Sequence, residues 1–152
     1  MGIIKIDDDF LEDLVAKALK SDRRRATENK TTTNCNLQAL YTAMTRTSYV
    51  RPHKHPVCEI IIPIRGKILV VEYNDDSSIA ERHYLGERYS TREVLIQPYT
   101  WHNLVALTPI AIISNPVEGP YKKEKTEFLE KTPEENTPEA LQFLFDLLKI
   151  GQ

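Results

Sequence analysis

Between Leu37 and Ser114 the chain repeats one pattern: short runs rich in Val, Ile, Thr and Tyr, divided by Gly, Pro, Asn and Asp. Strands are expected at Leu37 to Ser48, Tyr49 to His55, Glu59 to Ile64 and Lys67 to Tyr73. Four more are expected at Ile79 to Tyr84, Glu93 to Gln97, His102 to Ala106 and Ile110 to Ser114. Such close spacing leaves no room for crossover helices, so it predicts an antiparallel sandwich or barrel rather than βαβ units. Asn74-Asp75-Asp76 suits a tight hairpin turn. Arg65-Gly66 suits another, because glycine is free to take positive φ.

Helical patterns flank the strands. Phe10, Leu11, Leu14, Val15, Ala18 and Leu19 recur at three- and four-residue spacing, with Asp9 as the expected cap and Glu12 three residues on. Residues 21–36 are polar and threonine-rich and read as a loop with one short strand. Near the end, Thr132-Pro133-Glu134-Glu135 carries a cap, a first-turn proline and a third-position glutamate. Thr137-Pro138 repeats the cap and proline. Leu141, Phe143, Leu144, Leu147, Leu148 and Ile150 supply the apolar face that follows. The 152 residues are expected to form one domain: an N-terminal helix over about 9–20, a barrel core over about 37–118 and C-terminal helices over about 133–150.

Charge and cysteine content exclude several classes. A net charge of -2 gives no general attraction for nucleic acid or anionic membrane. The basic run at Asp22 to Ala26 reads as a solvated helix end. No apolar run reaches transmembrane length and no signal-like segment opens the chain, so a cytoplasmic location is expected. Cys35 and Cys58 form no CxxC pair, which excludes a thiolate zinc knuckle; a disulfide between them stays open, with a reducing compartment the simpler expectation.

The chemistry concentrates in His53-Lys54-His55-Pro56-Val57-Cys58-Glu59. Histidines at i and i+2 of a strand point to one face. Glu59 faces the same way if the intervening turn preserves the phase. His102, in Thr100-Trp101-His102, opens a later strand and arrives from a neighbouring side of the barrel. Three imidazoles and one carboxylate form a site for a divalent first-row metal: Fe, Mn, Zn or Ni. Four protein ligands leave two positions open in an octahedral arrangement, and the summed charge of +1 favours an anionic or enolisable oxygen ligand. Arg51 shares the parity of His53 and His55. It either points inward to grip a substrate carboxylate or phosphate, or sits at the strand end and reaches solvent. Tyr49 shares that parity too, and either lines the pocket or fills the barrel end. His83 has no ligand neighbours in sequence and reads as a surface residue. Cys58, out of phase with Glu59, reads as an inert packed thiol.

These residues resemble the cupin superfamily. Its first motif is a glycine, five residues, HxH, three or four residues, Glu, six residues and Gly. Thr47 to Gly66 matches it in register at His53, His55, Glu59 and Gly66, with Thr47 at the leading glycine. The second motif is degraded. His102 keeps its place, while Thr91, Gln97, Tyr99 and Ala106 stand where Gly, Pro, Gly and Asn are usual, and Pro98 is displaced by one position. TSYVRPHKHP, IRGKILVVEYNDD, QPYTWHNLVAL and NPVEGPY are similar to blocks of the WbuC family of cupin-fold metalloproteins. The resemblance implies a mainly β fold, a cupin-type double-stranded β-helix or jelly-roll barrel with N- and C-terminal helices. It implies His53, His55, Glu59 and His102 as metal ligands, and a link to O-antigen or other surface-polysaccharide synthesis. Tyr99, in place of the usual glycine, puts a bulky ring at the pocket rim, and Tyr121 is a second candidate at the site edge.

Three classes of function follow. The first is a metal-dependent, non-redox isomerase or epimerase acting on a small polar or anionic metabolite such as a sugar or sugar nucleotide. Arg51 would bind the substrate there, and proton transfer would fall to Tyr49, Tyr99, a metal-bound hydroxide or a Glu59 released from the metal. The second is an iron-dependent dioxygenase. The third is a small-molecule binding or sensing module without turnover. A homodimer is expected, because exposed sheet edges on such barrels are commonly covered by a second copy.

Overall fold

Alternation of side chains along short strands, with apolar residues at every second position, forces two sheets to close on each other. The computed structural model describes residues 2–31, 35–120 and 125–150. Its elements in chain order are α1 (Asp8–Lys20), β1 (Arg25–Asn29), β2 (Leu37–Thr45), β3 (His53–Lys54), β4 (Glu59–Arg65) and β5 (Lys67–Tyr73). They continue with β6 (Ile79–Gly86), β7 (Val94–Ile96), β8 (His102–Ala106), β9 (Ile110–Glu118), β10 (Glu127–Phe128) and α2 (Pro138–Ile150). One sheet has the order β1-β2-β9-β4-β7 and the other β10-β3-β8-β5-β6. Every named strand pair is antiparallel. This is the mainly β, two-sheet barrel with terminal helices that the sequence predicts.

Register decides which residues face inward. Ile68 opposes Ala106, Val70 opposes Leu104 and Glu72 opposes His102 across β5 and β8. Directly opposed residues share a face, so these three rows line the interior. The first two rows join Ile61, Met44, Leu85, Ala111 and Ile113 in a dry core between the sheets. Full burial of each large aliphatic side chain there contributes about 1.5–3 kcal/mol. The outward residues of β5 and β8, Leu69, Val71 and Val105, pack under Leu144 and Leu147 of α2. The outer face of the first sheet, through Ala43 and Ile112, packs under Leu11, Leu14 and Ala18 of α1.

Helix α1 begins two residues before the apolar pattern suggests. Its cap is Asp7, whose carboxylate accepts from the Phe10 N–H at 3.0 Å, while Asp9 lies inside the first turn. At the other end, the Thr132 cap starts no helix. Asn136 takes a left-handed backbone at φ 62°, which stops helical propagation, and Thr132 donates to the Leu129 carbonyl at 2.6 Å. Only the second cap works: Thr137 Oγ1 accepts from the Ala140 N–H at 3.1 Å and α2 starts at Pro138.

Two further expectations change. The strand expected over Tyr49 to His55 is reduced to His53–Lys54, because Pro52 has no N–H to donate to a ladder. The turn at Gly66 does not close a two-stranded hairpin. It passes the chain from β4 in one sheet to β5 in the other. Gly66 has φ 76°, and a Cβ there would collide with Thr108 Oγ1 and lie 2.5 Å from the Ile110 carbonyl oxygen, so the crossing admits no larger residue. Both cysteines are free. No helix among the described residues is long and apolar enough to cross a membrane.

Candidate metal centre

His53 on β3 and His102 on β8 are direct cross-strand partners, so their rings lie side by side with centroids 4.5 Å apart. His55 stands just beyond the end of β3. The Pro56-Val57-Cys58 turn then carries the chain into the opposite sheet, and Glu59 opens β4 facing back across the interior. The phase needed to bring His55 and Glu59 together therefore comes from a change of sheet rather than from one continuous strand. One ligand atom from each of His53, His55, Glu59 and His102 lies within 4.8 Å of the others. Glu59 and His102 are only 6% and 1% exposed.

The hydrogen bonds define the tautomers. Nδ1 of His53, His55 and His102 lies 2.8, 2.9 and 2.8 Å from the carbonyl oxygens of Arg51, Val57 and Thr100. A carbonyl only accepts, so each Nδ1 carries a proton and donates it. The Nε2 atoms are then left toward the common centre. Glu59 Oε1 faces His102 Nε2 at 2.6 Å and His55 Nε2 at 3.0 Å. Two neutral rings in this tautomer would present lone pairs to a carboxylate at contact distance, which is repulsive. Positive charge at the centre resolves the conflict, either as protons on the rings or as one cation shared by all four groups. The second solution matches the donor set of first-row metal sites, in which histidine donates its other N–H to a carbonyl or carboxylate. The residues present therefore fit a divalent ion.

The electrostatics express the same demand for positive charge beside Glu59. Burial and the adjacent His102 push His53 down to about 4, so its ring stays neutral over the physiological range. Burial works against the Glu59 charge, but the contacts from His102 and His55 outweigh it and hold the carboxyl well below the usual range. Burial would lower His55 as well, yet its bond to Glu59 reverses the sign and raises it. Glu59 Oε2 accepts from Asn115 Nδ2 at 2.9 Å, and the same amide donates to the Ile60 carbonyl at 2.9 Å. Asn115 thereby fixes the carboxylate in rotation, a role the sequence reading did not assign.

The other candidates fall in different places. Tyr49 is buried under α2, edge-on to Phe143, and donates its hydroxyl to the Pro133 carbonyl at 2.8 Å. Its burial pushes the phenol up. Arg51 Nε donates to Thr132 Oγ1 at 3.2 Å, and the guanidinium lies 5.0 Å from the Phe128 ring centroid. Neither side chain joins the four-residue cluster; the parity linking them to His53 needs an unbroken strand, which Pro52 interrupts. Tyr99 is 62% exposed with φ 63° and donates its N–H to the His55 carbonyl at 2.8 Å. Positive φ explains why glycine is usual at this point of the motif. Tyr121 lies outside the described residues.

A cavity of about 290 Å³ opens beside the cluster, lined in part by His102, Thr100, Gln97, Glu72 and His83. His83, expected at the surface without ligand neighbours, instead has two carboxylates beside it. The fold brings its Nε2 to 3.6 Å from Glu72 and 3.7 Å from Glu81, a second group with metal-ligand chemistry. The signal was present: Glu72 falls in phase with inward Ile68 and Val70, at a position where the alternation calls for an apolar residue.

Fold and site together define a cupin-type barrel with the capacity to bind a divalent metal. The family profile for the domain of unknown function DUF6016 matches residues 6–85, more than half of the chain, and the chain belongs to that family. The matched segment carries His53, His55, Glu59, Glu72 and His83 and stops short of His102. No curated protein matches the sequence. Among solved structures, protein SO0799 from Shewanella oneidensis superposes with a TM-score of 0.62 at 10% identity, over 97% of this chain and 94% of that one. The capsular polysaccharide assembling protein CapF from Staphylococcus aureus gives 0.60 at 17% identity, over 69% of this chain and 30% of its own. Oxalate decarboxylase from Bacillus subtilis gives 0.55 at 16%, over 69% of this chain and 27% of its own. The chain thus spans under a third of the last two, and at these identities the likeness is one of fold.

Proposed function

We propose that this protein is a metal-dependent cupin enzyme. Its substrate is a small polar or anionic metabolite of the sugar or sugar-nucleotide kind, and its chemistry is non-redox isomerisation or epimerisation. The observation that carries the reading is the convergence of three Nε2 atoms and one carboxylate within 4.8 Å, with every Nδ1 tied to the backbone. His53, His55, Glu59 and His102 would hold the ion, which would supply Lewis acidity toward a substrate carbonyl. Asn115 keeps the carboxylate turned inward. Tyr99 stands exposed next to Thr100, a residue of the cavity wall, and is proposed as the rim residue that filters access. Tyr49 and Arg51, engaged under α2 and by Thr132 and Phe128, are proposed to hold the segment that presents His53.

Likeness to the WbuC blocks supports a place in surface-polysaccharide chemistry, and so does the shared fold with a capsular polysaccharide assembling protein. The same proposal includes one cupin domain, a cytoplasmic location and a homodimer covering open strand edges such as β6.

The test has two stages. Protein purified without chelator should carry about one equivalent of a first-row ion by metal analysis. The loaded protein should then exchange a carbon-bound proton of an aldose or sugar nucleotide with solvent deuterium, without consuming oxygen. Oxygen uptake by the iron-loaded form would select a dioxygenase instead. Tight binding with neither exchange nor uptake would select a sensing module.

A further inference from the structure

We infer that the cavity beside the metal centre accepts a neutral, hydroxyl-rich ligand and disfavours anions, with Glu72 as the principal hydroxyl acceptor. This rests on reading the four-residue cluster as a metal centre, and it narrows the substrate class of that site.

The first observation is where charge lies. Among the described residues lining the cavity there is no lysine or arginine. Arg51, the cation that could have greeted a carboxylate or phosphate, is turned to Thr132 and Phe128. What the wall does carry is Glu72, with Glu81 directly opposite it on β6. A divalent ion held by three neutral imidazoles and Glu59 leaves a charge of +1; Glu72 on the wall cancels it, so the loaded site offers an incoming anion no net attraction, and an anion entering along this wall meets a carboxylate first.

The second observation is the cost of that arrangement. Inward positions of β5 run Ile68, Val70, Glu72. Glutamates placed directly opposite one another on adjacent strands are destabilising; among the described residues, His83, 3.6 and 3.7 Å from the two carboxylates, bridges them. A valine at position 72 would continue the core. A carboxylate here instead meets a ligand that donates hydrogen bonds.

The third observation is the remaining wall. Gln97 and Thr100 supply neutral donors and acceptors, while Val70, Val94 and Ile96 present an apolar face. Apolar surface for C–H groups beside a carboxylate and amides for hydroxyls is the recognition chemistry of a sugar ring. A volume of about 290 Å³ is at the small end of ligand cavities. It suits one such ring, and leaves any nucleotide portion outside.

The experiment uses the full chain loaded with Mn(II) and reads ligand binding by calorimetry and by water-proton relaxation. The probes are D-xylose and D-glucose against malonate and inorganic phosphate. Wild type should bind an aldose roughly ten-fold more tightly than malonate. Glu72→Gln keeps the shape and removes the charge; it should weaken the aldose about three- to ten-fold and bring malonate closer to it. Gln97→Ala should weaken the aldose without admitting malonate. Thermal unfolding of each variant verifies that it folds. Malonate or phosphate binding more tightly than both aldoses, or a Glu72→Gln variant with an unchanged ranking, overturns the inference. Metal content of the same samples separates the two readings. Wild type that takes up no ion overturns the metal centre and this inference with it, whereas a full complement of ion with anions preferred overturns this inference alone.

Discussion

At one end of the space between the sheets, Ile61, Ile68, Leu85 and Ala106 are wholly buried and apolar. At the other end, the same strands contribute Glu59, Glu72 and His102. On β8 the inward series passes from His102 through Leu104 to Ala106; on β5 it passes from Glu72 through Val70 to Ile68. A span of four residues therefore separates a dry core from a polar, charge-bearing centre. The apolar end pins the register of both sheets, since a one-residue slip would expose every core side chain. That fixed register is what lets a polar end, with its cost of burial, hold the side chains of His53, His55, Glu59 and His102 within reach of one another.

Substitutions confined to one end should leave the other intact. Ile61→Ala should lower stability by about 2–5 kcal/mol in urea unfolding, while metal affinity stays within about two- to three-fold of wild type. A matching loss of affinity would show that the two ends are not separable. His102→Ala should reduce metal affinity by more than about a hundred-fold, or ~2.7 kcal/mol, measured by competition with a chelator. Asn115→Ala, which frees the Glu59 carboxylate to rotate, should cost about ten-fold, or ~1.4 kcal/mol.

A control lies outside both ends. Glu135 accepts from Arg23 at 2.8 Å and from Arg25 at 2.6 Å. Burial would raise its carboxyl, but the two guanidinium contacts outweigh it and leave it below the ordinary value of 4.5. A depressed carboxyl stabilises the fold above the unfolded-state value and loses that contribution as pH falls through the folded one. Glu135→Gln should therefore cost roughly 1 kcal/mol at neutral pH, and its gap from wild type should close in unfolding curves taken below pH 4.5. Smallest of all, Glu81→Gln, on the exposed flank of the polar end, should shift stability by less than about 0.5 kcal/mol.

Periodicity made much of this legible in advance. The apolar stripe of α1 and the alternation in Lys67 to Tyr73 translate directly into buried faces, and His53, His55, Glu59 and His102 stand out because their side chains have few other reasons to cluster. What escaped depends on tertiary pairing. Nothing local to Glu81 or His83 announces that β6 will lay them beside Glu72, and Asn115 is an ordinary strand asparagine until β4 and β9 pair. Pro52 and Asn136 show the opposite failure. Each interrupts a regular element that its neighbours favour, and so displaces Tyr49, Arg51 and the first C-terminal cap from the roles their spacing suggests.

Each of the three imidazole rings is clamped by a main-chain oxygen only two residues away along its own segment. Their freedom to spin is given up when the barrel closes, not when an ion arrives. Capture should then be nearly free of side-chain ordering, and escape should wait on the movement of a strand end. Such a cage imposes its own size and handedness on whatever it holds, and selects among ions by how well they tolerate an opening they cannot reshape.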